Sequence, residues 1–130
     1  EALNADVNAS ESELAKLESQ VHMANLQFPM KASEEVIIEK VELNDEAVIY
    51  ICRVDEDLCD MDQIEANAVE VKKGIVETLA DQTDIATQLF IKYCVNCNRN
   101  ITYRYIGNQS EVQHDVVITV SELKDLLKKE

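Results

Sequence analysis

The residues whose types and spacing could do chemistry are the two thiols of Cys94-Val95-Asn96-Cys97. Cysteines two residues apart suit dithiol redox work or half of a metal site. An active dithiol keeps its nucleophilic thiolate at a helix N-terminus, where the dipole lowers the thiol pKa. Here the pair follows the helical stripe Leu89, Phe90, Tyr93, Cys94 and runs into a strand at Asn100. That places it at a helix C-terminus, where the dipole opposes a thiolate. A zinc site would have to recruit Cys52 and Cys59, which have six residues between them rather than two to four, in loops without the usual glycines. What remains for Cys52, Cys59, Cys94 and Cys97 is a redox role as runner-up, structural disulfides, or buried free thiols. Four cysteines allow three pairings. Strand parity turns Cys52 inward with Tyr50 and Val54, and helical spacing puts Cys94 on the stripe of Phe90. A bridge between them is weighed against two free thiols acting as small apolar residues.

Asp55-Glu56-Asp57-Leu58-Cys59-Asp60-Met61-Asp62 crowds oxygen donors as a calcium loop does. It lacks the glycine at loop position six, and Ala66 stands where the bidentate glutamate belongs. The simpler reading is a helix start, with Asp60 as cap and Gln63 three residues on. His22 and His114 are the two histidines, and neither accompanies a recognisable nucleophile motif. Two glycines cannot build a phosphate-cradling loop. No catalytic residue, metal or cofactor is expected. Tyr50, Phe90, Tyr103 and Tyr105 form an aromatic row whose first meaning is core packing; the alternative is a platform for an apolar ligand.

These residues need elements to hold them. Asn100 to Val120 carries the clearest signal. Ile101, Tyr103 and Tyr105 alternate with Thr102 and Arg104, and Val116, Ile118 and Val120 alternate with Val117 and Thr119. Period two with aromatic and β-branched residues predicts two half-buried strands. Gly107-Asn108-Gln109-Ser110 predicts the turn, by residues that tolerate positive φ. Glu34–Leu43 and Ala47–Val54 predict a second hairpin around Asn44-Asp45-Glu46, although Val36, Ile37 and Ile38 in a row leave its register open. Ser10 with Glu13 predicts a capping box for a helix to about Leu26. Its stripe of Leu14, Leu17, Val21 and Ala24 docks on the domain or pairs with another copy; docking is favoured, since a coiled coil wants more heptads. Residues before Ser10 read as loose. Ile64, Ala68, Val71, Ile75 and Leu79 predict one long helix, Ile85 to Val95 another, and Ser121 caps a short last one. The expected fold is α+β: two β-hairpins in one antiparallel sheet, helices packed on one face, and an N-terminal helix. Residues 1–28 read as a helical segment or tether, and 29–130 as the α+β domain.

Twenty-six acidic residues against 12 basic give a net charge of −14, a surface that repels nucleic acid and anionic lipid heads. No apolar run reaches the ~18 residues of a membrane span. Both a removed signal sequence and a trimmed chain explain a start at Glu1, and four cysteines are compatible with an oxidising compartment. The phrases VIYICRVDEDLCDMDQI, LFIKYCVNCNRNITYRYIGN and VVITVSEL resemble small uncharacterised secreted or lipid-anchored proteins of Bacteroidota. The resemblance implies an exported, cell-envelope protein and no assigned activity. The sequence therefore predicts a non-catalytic envelope or secreted protein with a binding or structural role. Its partner is a protein or a small apolar ligand; the alternatives are a small-ligand carrier and a redox enzyme using Cys94 and Cys97.

Overall fold

A computed structural model describes residues 2–81 and 85–128. The chain runs α1 (Ala2–Asn25), β1 (Met30–Lys31), β2 (Val36–Leu43), β3 (Ala47–Val54), α2 (Met61–Ala66), α3 (Ala68–Asp81), α4 (Ile85–Asn96), β4 (Asn100–Gly107), β5 (Gln113–Ile118) and α5 (Val120–Lys128). The fold is α+β, with one five-stranded sheet in the order β1-β2-β3-β4-β5. Both expected hairpins form, β2–β3 and β4–β5. They do not make a purely antiparallel sheet. β3 and β4 pair in parallel along their whole length, Ala47 opposite Asn100 through Val54 opposite Gly107. The reason is the connection. α2, α3 and α4 form a helical crossover that brings the chain back to the starting end of β3, and such a crossover joins parallel strands. The two-residue β1, which adds an edge beside β2, was not expected.

All five helices serve one face of the sheet. Leu17 and Val21 of α1, Ile91 and Cys94 of α4 and Leu123 of α5 close on Val41, Val48, Ile101 and Ile118. Met61 and Ile64 of α2 close on Val54 at the other end of the same face. Each such buried side chain contributes about 1.5–3 kcal/mol by leaving water. On the opposite face Ala47, Ile49 and Ile51 cluster with Ile106 alone. Crossed ion pairs flank them, Arg53 with Glu39 and Arg104 with Asp115.

A β-bulge settles the run Val36-Ile37-Ile38. Ile38 pairs with Cys52 and Lys40 with Ile51, so Glu39 is the extra residue. The bulge switches parity. Val36 and Ile38 before it, and Val41 and Leu43 after it, all share the helix-side face, while Ile37 stays 44% exposed. Asn25, the last residue of α1, completes the same edge. Its amide donates to the Val41 carbonyl and accepts from the Val41 N–H, both at 2.8 Å. A side chain thus supplies the partner that a further strand would have given.

Several helix ends differ from the sequence reading. α1 passes through Ser10 and extends to Ala2, so Ser10 is not its cap. Asp60 occupies the position before α2 but makes no side-chain capping bond. The long stripe from Ile64 to Leu79 is cut at Asn67, whose side chain bonds the Gln63 carbonyl. α5 is opened by Thr119, not Ser121. The Glu122 N–H donates to the Thr119 hydroxyl, and the Glu122 carboxylate accepts from the Thr119 N–H, a reciprocal box. Thr119 therefore leaves the strand face assigned to it, and Val120 starts the helix. Of the Asp81–Asp84 break, residues 82–84 lie outside the described residues.

Candidate functional site

The acidic connection after β3 is structural. Oε1 of Glu56 accepts from the backbone N–H groups of Gln109 (2.6 Å) and Ser110 (2.7 Å), and the Glu56 N–H donates to the Asn108 side chain. This staples the β3 exit to the β4–β5 turn. It also explains Gly107. No glycine here has a positive φ; Glu111 takes that conformation instead. A Cβ at Gly107 would collide with the Glu56 carboxylate. The bonds from Ser110 and Gln109 hold the Glu56 carboxyl below its usual range. A depressed folded pKa means a contribution present above the unfolded pKa and lost as pH falls through the folded one. The protection of the Gln109 and Ser110 amides, taken relative to their intrinsic exchange rates, is therefore expected to fall selectively in that acid window. Glu56→Gln should remove that fall; protection unchanged through the acid window in the native protein would refute the staple. Among the described residues no group of three or more His, Cys, Asp or Glu is placed to hold a metal ion.

The thiols are poorly placed for redox work. α4 ends in a Schellman motif. The Arg99 N–H reaches the Cys94 carbonyl (2.8 Å), the Asn98 N–H reaches the Val95 carbonyl (3.1 Å), and Asn98 is left-handed at φ 58°. Cys94 and Cys97 therefore flank a helix C-terminus, as the sequence suggested. All four cysteines are free thiols. Cys94 is 0% and Cys52 1% exposed, and burial pushes both thiols up to about 12. Cys97 and Cys59 are also pushed up, first by burial. Cys59 packs against the α2 cluster, away from the Cys94–Cys97 pair. A thiol held above its ordinary pKa at neutral pH is a poor nucleophile.

The aromatic row makes the more distinctive site. Tyr50 and Tyr103 are register partners on β3 and β4, and their rings stack at 4.9 Å and 13°. Phe28 meets the Tyr50 ring edge-on. Burial raises the hydroxyl pKa of all three strand tyrosines, that of Tyr105 to about 12. None of the three hydroxyls makes a hydrogen bond to a described residue. α3 lies above this floor without a single fully buried side chain. Two clefts border it. One, about 380 Å³, is lined by Tyr50, Phe90, Tyr103, Ala24 and Leu79 among others. The other, about 440 Å³, lies between α3 and the β1–β2 edge, over Ile38, Cys52, Tyr103 and Tyr105. Thr78, Leu79 and Tyr103 line both, and among the described residues no charged side chain lines either.

The structure thus divides the candidate platform: Tyr50, Phe90 and Tyr103 share one cleft, Tyr103, Tyr105 and Cys52 the other. Sequence reasoning missed the α3 wall, Val71, Gly74, Ile75 and Thr78. The available signal was Gly74, a glycine inside a helical stripe, which costs about 1 kcal/mol relative to alanine and calls for a reason. A third opening, about 490 Å³, lies between α1 and the β2–β3 turn and is polar, with Glu18, His22, Asp45 and Arg99 on its walls. Arg99 is already bound to the Asn44 and Cys97 carbonyls.

No protein-family model matches the chain, and no curated protein matches it. Two solved structures share its fold. A Pseudomonas aeruginosa protein inferred to be secreted superposes with a TM-score of 0.67 at 11% identity, over 88% of this chain and 95% of that one. The pilotin of the Vibrio vulnificus type 2 secretion system superposes with a TM-score of 0.59 at 6% identity, over 88% of this chain and 94% of that one.

Proposed function

We propose that this chain is a non-catalytic binding protein that works outside the cytoplasm, in the cell envelope or as a secreted protein. The observation that carries the binding half is the uncharged cleft pair around α3, floored by the stacked Tyr50 and Tyr103. Pockets of 300–1,000 Å³ with apolar and aromatic walls are the usual form of a small-molecule site. The same fold occurs in a protein inferred to be secreted and in a secretion-system pilotin, and the sequence phrases given above resemble exported Bacteroidota proteins. Among the described residues no helix is long and apolar enough to cross a membrane. Against the redox alternative stand the helix C-terminal position of Cys94 and Cys97 and their raised thiol pKa values.

Two measurements test this. With no tryptophan present, tyrosine emission reports on the floor of the cleft. Titration with Nile red, an uncharged dye, is expected to saturate at one site per chain and change that emission. In parallel, native alkylation should show no thiol reacting as thiolate below pH 7, and Cys52 and Cys94 modified only after unfolding. A Cys94 or Cys97 thiolate below pH 7 would restore the enzyme reading, and failure of the dye to saturate would remove the binding one.

A further inference from the structure

Gly74 is the residue of α3 that the chain itself does not explain. A Cβ built there meets nothing within 4 Å, whereas Gly107 has Glu56 against it. Gly74 lines the cleft of about 440 Å³, one turn before Thr78. The Thr78 hydroxyl donates back to the Gly74 carbonyl at 2.8 Å, so its proton is spent within the helix and only its oxygen is left to accept. Across the cleft the Tyr103 and Tyr105 hydroxyls make no hydrogen bond to a described residue. Among the described residues the side-chain donors left to a guest are then the two phenol hydroxyls, since the Cys52 thiol is turned onto the Tyr50 carbonyl, and no lining side chain is charged. A guest bearing a carboxylate, phosphate or ammonium inside it would trade its water for neutral hydroxyls with no counter-charge beside it, in a chain of net charge −14. A helical peptide would bring carbonyls already bonded within itself and leave the hydroxyls unmatched. A carbonyl oxygen on an otherwise apolar body matches them.

We infer that the cleft between α3 and the β1–β2 edge takes a small uncharged amphiphile, an ester or ketone on an apolar chain or ring, with its carbonyl oxygen on the Tyr103 and Tyr105 hydroxyls and its apolar body against Gly74. This rests on the binding reading above and names its ligand class.

The probe is monolaurin, an uncharged ester, titrated calorimetrically below its aggregation concentration and set against sodium laurate at pH 8. Monolaurin is expected to bind one per chain and to displace Nile red, with laurate at least about tenfold weaker because its charge finds no counter-charge in the cleft. Tyr103→Phe and Tyr105→Phe should each weaken monolaurin about twofold to tenfold, the value of one neutral hydrogen bond, and leave Nile red largely unchanged. Gly74→Phe puts a ring at an exposed position on the wall of the cleft, where a Cβ meets nothing within 4 Å. It should abolish monolaurin binding while far-UV circular dichroism stays native. Gly74→Ala, which adds one methyl, controls for the helix. Laurate binding as tightly as monolaurin, or monolaurin binding untouched in folded Gly74→Phe, overturns the inference. If Nile red saturates and monolaurin does not bind, the ligand class is wrong and the binding reading stands. If neither binds, both fall. If a cationic amphipathic helical peptide occupies the cleft and monolaurin does not, the guest is a protein segment and the inference is wrong.

Discussion

Leu17→Ala is expected to lower the unfolding free energy by about 3 kcal/mol, within the 2–5 kcal/mol range for leucine truncation in a core. Leu17 is 0% exposed and sits in the cluster that joins α1 to β2, β3, α4 and β4. Truncation removes apolar burial and opens a cavity between helix and sheet. The check is urea unfolding followed by circular dichroism. The midpoint should fall with the slope unchanged, the signature of lost stability rather than altered compactness. Leu26, just past α1 and 74% exposed, is the control, and Leu26→Ala should stay within about 0.5 kcal/mol. If Leu17→Ala were equally silent, α1 would be a tether and not part of the core.

The second large effect is alkaline unfolding. Burial raises the Cys52 and Cys94 thiols from 9.0 to about 12. A group whose folded pKa is raised contributes stability that is fully present below the unfolded pKa and is lost as pH climbs to the folded one. The window is therefore roughly pH 9 to 12, and each thiol withdraws on the order of 4 kcal/mol across it, at 1.36 kcal/mol per pKa unit. Tyr105, raised to about 12, and the more strongly raised Tyr50 and Tyr103 act in the same direction. Domains hold only about 5–15 kcal/mol in reserve. Cooperative loss of circular dichroism is expected inside that window, with Cys52 and Cys94 becoming open to alkylation together with it rather than before it. Cys52→Ala combined with Cys94→Ala should flatten the alkaline limb even though it lowers stability at pH 7. Alkylation of Cys52 or Cys94 while the fold stays intact would show that these thiols are not desolvated.

Much of this was legible because it is local. Alternation in Ile101-Thr102-Tyr103-Arg104-Tyr105 and the spacing Leu14, Leu17, Val21 each state a period, and the period states the element and its inward face. The same logic placed Cys94 and Cys97 at the end of α4, and so weighed against redox chemistry before any coordinates. Helix ends were read less well. Thr119, Ser121 and Ser10 offer similar hydroxyls, and the choice among them depends on where the preceding chain leaves the sheet, which is not written in the nearby residues.

By itself, then, the sequence determined the α+β class, both hairpins, the inward faces of β3 and β4, and an acidic surface hostile to polyanions. Only the tertiary structure decided the parallel β3–β4 pairing, because either direction satisfies the same alternation and the helical crossover selects one. It also decided the face switch at Glu39, since a bulge is defined by the partner strand. It gave Glu56 its place, because a carboxylate finds backbone N–H groups some fifty residues away only once the sheet is assembled. The cleft belongs with these. It lies where α3, with no fully buried side chain of its own, passes over Tyr103 and Tyr105, an approach that only the assembled sheet and crossover create.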